Sequence, residues 1–205
     1  MSALPFLSVD TTNDRPAGSA VARSPMQHLQ RERGARFETR NGWEVPVWFP
    51  DERAALDSVG IVELPQLGKL EVRGAGARPS QNVLWYQLTP NRALCVSAAA
   101  STASVRTQLT SSARTLVDVS AGLGSIALLG PRASELLRRL TDLETLPASG
   151  LVSHIHGHVL PLEGGFLILF PQEYGYYLYE VLLDAAVPFD GGPAGIDALP
   201  AGDLW

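Results

Sequence analysis

Three histidines within five residues, "HIHGH" at His154, His156 and His158, are the densest chemistry in the sequence. Alternate residues of an extended strand share a face, and a rise of ~3.4 Å per residue sets neighbouring histidines about 6.8 Å apart. Two neighbours at that spacing could chelate one metal ion, whereas all three could do so only on a bent strand. No Cys, Asp or Glu stands at a spacing that completes the ligand set. An isolated His-x-His-x-His reads instead as a polar stripe facing solvent, opposite Val152, Ile155 and Val159, and no metal is expected.

The stretch "QNVLWYQL", Gln81 to Leu88, has apolar and aromatic residues around one amide, Asn82, and no carboxylate nearby. Lys69 is the only lysine, so a lysine-centred mechanism would have to use it. Cys95 is the only cysteine; inside the apolar run "ALCVSAAA" it reads as a buried small hydrophobe, and no intrachain disulfide exists. Ser97, Ser120 and Ser153 sit in no nucleophile elbow. "GAGARPS" and "SAGLGS" lack the spacing of a phosphate-cradling loop and read as turns. Trp43 and Trp48 in "NGWEVPVWF" could wall a flat-ligand pocket or plug the end of a sheet.

These residues need elements to position them. At 205 residues the chain can bury a sizeable core, and 45 % apolar with 18 % charged residues is ordinary for a soluble globular protein. A formal charge of −5 argues against a nucleic-acid face. No apolar run approaches the ~20 residues of a membrane span, and the start lacks a signal-peptide pattern. A cytoplasmic protein is expected. Residues 1–23 read as a flexible tail and residues 24–205 as the domain.

"PMQHLQRERGA" predicts a short helix with Met26 and Leu29 on one face, stopped at Gly34. "PDERAALDSVG" predicts a helix with Asp51 and Glu52 in its first turn, a stripe of Ala55, Leu56 and Val59, and its end at Gly60. "GKLEVRG" alternates Leu70 and Val72 with Lys69, Glu71 and Arg73, a half-exposed strand. Three hairpin-then-helix units follow: "NVLWYQL-TPN-RALCVSA" with "STASVRTQLTSS", "TLVDVS-AGLG-SIALLG" with "PRASELLRRL" opened by Pro131, and "HIHGHVLPL-EGG-FLILF" with "PQEYGYYLYEVLLDA". The last helix should bury Tyr174, Tyr177, Leu178, Val181 and Leu182 and leave Tyr176 and Tyr179 for an interface. The Gly- and Pro-rich end is expected to be loop with one helical turn, and Trp205 is a second interface candidate. The fold class is α+β, antiparallel sheet with helices packed on it.

The run from "SPMQHL" through "GWEVPV", the acidic helix ending in "VGIVEL", and "LGKLEVRG" resembles the start of the glycine-cleavage T-protein family, folate-dependent aminomethyltransferases. "QNVLWYQLTPNRALCVSAAA", "DVSAGLGSIALLGPRASELLRRLTD", "LEGGFLILFPQEYGYYLYEVLLDA" and "GGPAGIDALPAG" continue it, so the resemblance spans Ser24 to Gly202. It implies a folate-binding-type domain, cut short before the family's C-terminal barrel. The departures bear on chemistry. Asn82 stands where the family has the carboxylate that meets the reacting nitrogen, and an amide neither balances a developing cation nor takes a proton. Leu167 stands where the family's glutamate grips the pterin, and leaving those donors unmet costs about 1–3 kcal/mol each. Pro200 stands at an arginine, and Pro65, Gln66, Leu67 and Gly68 replace "Ser-His-Met-Gly". A strand and loop of the family are missing between Ala77 and Pro79.

In length and stripped pocket the chain is also similar to the gamma-type subunits of heterotetrameric sarcosine oxidases. The resemblance therefore implies a non-catalytic structural or assembly subunit of a larger one-carbon or amine-oxidising complex. Its partner would be a larger catalytic subunit or a further copy of itself, with no nucleic acid, no membrane and no cofactor of its own. The alternative is a tetrahydrofolate-binding enzyme or carrier with an altered pocket, its contacts drawn from Asn82, Trp85, Tyr86, Glu163 and Gly68.

Overall fold

The computed structural model describes residues 20–74, 78–79 and 83–199. Asn82, Pro200, Trp205, the stretch around Ala77 and residues 1–19 of the expected tail lie outside the described residues. At Ala22 the chain is already held, by backbone bonds to Gly42 and Glu44.

In chain order the elements are α1 (Gln27–Glu32), β1 (Arg36–Arg40), β2 (Trp43–Trp48), α2 (Glu52–Leu56), β3 (Gly60–Glu63), β4 (Gly68–Arg73), β5 (Val83–Thr89), β6 (Arg92–Ser97), α3 (Thr102–Thr110), β7 (Thr115–Asp118), β8 (Leu123–Leu129), α4 (Ala133–Leu140), β9 (Ala148–Val152), β10 (Ile155–Leu162), β11 (Gly165–Pro171), α5 (Gly175–Ala186) and β12 (Gly192–Pro193). They form a two-stranded sheet β1-β2, a six-stranded sheet β12-β3-β8-β11-β10-β9 and a four-stranded sheet β5-β6-β4-β7. Every pairing is antiparallel except the short β12 against β3. The class is α+β, as the periodicities imply.

The six-stranded sheet is covered on both sides, which is why β8 and β11 are nearly continuous apolar runs rather than alternating ones. Ile126, Leu128, Ile168 and Phe170 face one core with Met26 of the α1 entry, Leu136, Leu137 and Leu140 of α4, and Leu178 and Leu182 of α5. Ala127, Leu129, Leu167 and Leu169 face the opposite core, built with Val45 and Val47 of β2, Tyr86 of β5, and Leu94 and Val96 of β6. A third cluster, Leu70, Val72, Cys95, Val105 and Leu109, packs α3 on the outer face of the four-stranded sheet.

The β5–β6 and β10–β11 hairpins form as their turns predict. Four expectations are corrected. "TLVDVS" and "SIALLG" do not pair: β7 joins β4 in the four-stranded sheet while β8 joins β3 and β11 in the six-stranded one. β4 is not half-exposed, because the other sheet covers the face that carries Lys69 and Glu71, and both are buried. The acidic helix is one short α2, and Gly60 begins β3 instead of ending it. On α5 the buried face is Leu178, Tyr179, Leu182, Leu183 and Ala186, while Tyr174, Tyr176 and Tyr177 are exposed. Tyr179 therefore belongs to the core and not to an interface.

Candidate functional site

Where the four-stranded sheet meets the edge of the six-stranded one, three side chains form a chain of hydrogen bonds. β5 carries Tyr86 inward, and the phenol packs in the core between the sheets with its hydroxyl reaching outward. Its OH lies 2.8 Å from Ser149 Oγ, and Ser149 Oγ lies 2.7 Å from His158 Nδ1. The last contact follows from register: Ser149 on edge strand β9 sits directly opposite His158 on β10, so the two side chains share a face. Burial, then the neighbouring His156 and Arg92, hold the His158 imidazole below its usual pKa, which favours the neutral ring. A hydroxyl on a neutral imidazole can pass a proton.

His156 stands beside His158, ring centroids 5.9 Å apart. His154 leaves the stripe. It occupies the β9–β10 turn with φ +70°, next to Ser153 at φ +46°, so the three histidines do not line one strand face. Among the described residues no group of three or more His, Cys, Asp and Glu could hold a metal ion. Burial pushes the Cys95 thiol up to about 12, so it is a core hydrophobe and not a thiolate.

The structure separates the remaining sequence-derived site residues. Trp85, adjacent to Tyr86, points to the opposite face and packs against the α3 cluster, its Nε1 donating to Gln87. Gly68 faces α3, where a Cβ would come 2.1 Å from Thr102 Oγ1, so packing alone requires the glycine. Glu163 lies in the β10–β11 turn at the rim of a cleft of about 660 Å³. That cleft is lined mainly by apolar groups, including Leu129, Pro161, Phe166 and Leu199, with Ser134 as a polar exception. Leu167, at the pterin-gripping position of the resemblance, has no exposure and packs in the same core as Tyr86. Trp43 is in that core too, whereas Trp48 lies outside it under the Arg36 guanidinium, 4.3 Å from the ring, so the two tryptophans wall no common pocket.

One polar group was not legible in the sequence. Glu63 and Lys69 are both wholly buried. Gln30 Nε2 donates to Glu63 Oε2 at 2.6 Å, and Lys69 Nζ donates to the Ser120 carbonyl at 3.2 Å. Burial pushes the Glu63 carboxyl up to about 7 against the pull of Ser24, Gln30 and Lys69, and pushes the Lys69 ammonium down to about 7. Nearby, Gln30 Oε1 and the Tyr179 hydroxyl are buried, and among the described residues neither has a partner in hydrogen-bond geometry. The seam ties α1, β3, β4 and the β7–β8 connection together.

Comparison with known proteins fits this architecture. No family model matches the chain. In sequence it is 25 % identical over 224 residues to an aminomethyltransferase of Mycobacterium leprae, covering 87 % of this chain and 61 % of that one. It is 28 % identical over 229 residues to an aminomethyltransferase of Thermosynechococcus vestitus, covering 87 % and 60 %. The chain thus spans about three fifths of the length of these curated relatives. In structure it matches the glycine cleavage system aminomethyltransferase T of Bartonella henselae with a TM-score of 0.67 at 16 % identity, covering 87 % of this chain and 61 % of that one. It matches a chain of the heterotetrameric sarcosine oxidase of Corynebacterium sp. U-96 with a TM-score of 0.58 at 16 % identity, covering 88 % of this chain and 99 % of that one. In sequence over most of its length, and in fold, the chain is aminomethyltransferase-like.

Proposed function

We propose that this chain is a non-catalytic aminomethyltransferase-like domain that serves as a structural or assembly subunit of a larger one-carbon or amine-oxidising complex in the cytoplasm. The observation that carries the reading is Leu167. At the position where the resemblance expects a pterin-gripping acid, a fully buried leucine packs with Tyr86, Leu94, Val96 and Leu169. A ligand there would have to displace close-packed core and leave its own polar edge unmet, an unfavourable exchange. The near-complete coverage of one chain of a heterotetramer supports the assembly role.

The surface we assign to a partner is α5 with the turns that flank it, where Tyr174, Tyr176, Tyr177 and Val187 are 48 %, 44 %, 42 % and 68 % exposed. Tyrosine is enriched at interfaces because its ring supplies area and its hydroxyl a bond. The chain, tagged and expressed in its source cells, should copurify in fixed proportion with a larger subunit. A chain that elutes only as a monomer from those cells contradicts the reading.

A second reading rests on the Glu163 cleft. Its volume and apolar lining suit a small organic cofactor. In that case the domain carries tetrahydrofolate at the outer rim, with Glu163 as the acceptor and without help from Tyr86, Trp85 or Gly68. Loss of tetrahydrofolate affinity in Glu163→Ala would favour it.

A further inference from the structure

A second concave site lies on the other side of the six-stranded sheet's edge. It is a groove of about 460 Å³ bounded by the end of α4, the β9–β10 turn and α5. Its lining mixes apolar groups, Leu140, Leu151, Val181 and the Tyr177 ring, with polar ones in about equal measure, and Leu151 is 59 % exposed although it lies on a strand. Charge of both signs stands at its rim without mutual neutralisation. Arg138 and Asp142 are four residues apart, yet α4 stops between them at Thr141, whose extended backbone turns Asp142 away from the helix. Consequently they form no ion pair, and Arg138 has none with any described residue. Arg139 lies on the Phe189 ring, 4.5 Å from its centroid, whereas Arg138, which acts on Glu135 only beyond ion-pair distance, has no close acidic partner among the described residues.

The polarity of the helix end adds to this division. The Arg138 and Arg139 carbonyls accept no hydrogen bond from the described residues, so together with Asp142 they make the Asp142 end of the groove attractive to a cation. The Arg138 guanidinium presents a planar fork suited to a carboxylate. The turn that closes the groove holds Ser153 and His154 consecutively at positive φ, where glycine or asparagine is favoured.

The geometry points to a binding site for a small zwitterion with an apolar tail, that is, a free α-amino acid with an aliphatic or aromatic side chain. Its carboxylate meets Arg138, its ammonium meets Asp142 and the α4 carbonyls, and its side chain lies on Leu140, Leu151 and Val181. This site is separate from the Glu163 cleft and from the Tyr86 core, and it shares Tyr177 with the proposed partner face of α5, so it is open in the chain that is not docked there.

The test titrates the purified chain with L-leucine, with 4-methylpentanoate, which lacks the amine, and with 3-methylbutylamine, which lacks the carboxylate. The Leu151 methyl and His154 ring resonances are the readout. L-Leucine should give saturable shifts with a Kd of about 1 mM or tighter. Each truncated analogue should bind about tenfold more weakly or worse, as should L-leucine to Arg138→Gln and to Asp142→Asn. Both substitutions are at exposed positions, and an unchanged melting curve confirms that the variants fold. No saturable shift with L-leucine overturns the proposal. So does equal binding of the truncated analogues, or undiminished binding to either variant.

Discussion

Two places in this molecule hold opposite kinds of surface. Behind Tyr86, where an aminomethyltransferase-like domain would be expected to open, Leu94, Val96, Leu167 and Leu169 leave nothing exposed beyond a few per cent. Beside Arg138 the groove is open, with apolar and charged groups both at hand, and among the described residues Arg138 has no ion pair. The contrast separates an interior whose side chains satisfy one another from a groove whose polar groups face outward. A core is defined by what its neighbours satisfy, and a site by what they leave unsatisfied.

The strongest challenge to that contrast is to put the acid back. Leu167→Glu should destabilise the fold by about 3–5 kcal/mol, because it buries a carboxyl without a partner in a packed core. Denaturant unfolding measures this. A loss below about 1 kcal/mol would mean that the interior is a pocket with room and water.

The buried seam tests the same interior from its polar side. Between pH 4.5 and about 7 the folded protein keeps a proton on Glu63 that the unfolded chain has lost, so this group makes stability fall as pH rises through that window. Between about 7 and 10.5 the unfolded chain holds the extra proton on Lys69, so this group makes stability rise with pH there. Melting curves across both windows should show the lower slope flattened in Glu63→Gln and the upper slope flattened in Lys69→Met. Unchanged slopes in both variants would place these side chains in water.

The smallest effect belongs outside. Replacing Tyr176 and Tyr177 together with Ser should change stability by no more than about 0.5 kcal/mol each, the usual range for exposed positions. The same double variant should lose partner retention in copurification. A large loss of stability would show that this face is core.

Much of the frame was readable from the residues. Turn chemistry exposed the β5–β6 and β10–β11 hairpins, since both pair neighbours in sequence. It misled at "SAGLGS", because β7 finds its partner in β4, far earlier in the chain, and a local turn pattern carries no information on that. Periodicity could not see that a second sheet covers Lys69. On α5 the phase was misjudged because Tyr174 belongs to the 3₁₀ turn before the helix, so counting from it rotated the wheel and hid Tyr179. Tyr86 was identifiable from resemblance, whereas Ser149 was not. Its link to His158 exists only through the β9–β10 register, in a strand too short and too Gly-containing to advertise itself.

Calorimetric titration with tetrahydrofolate decides most directly whether the interior has been given over to packing. The packed core behind Tyr86 requires no heat beyond dilution at about 1 mM ligand, the concentration below which binding would be stronger than about 4 kcal/mol. Saturable binding tighter than that, abolished by Tyr86→Ala but not by Glu163→Ala, would place a folate where the leucines stand and contradict the reading.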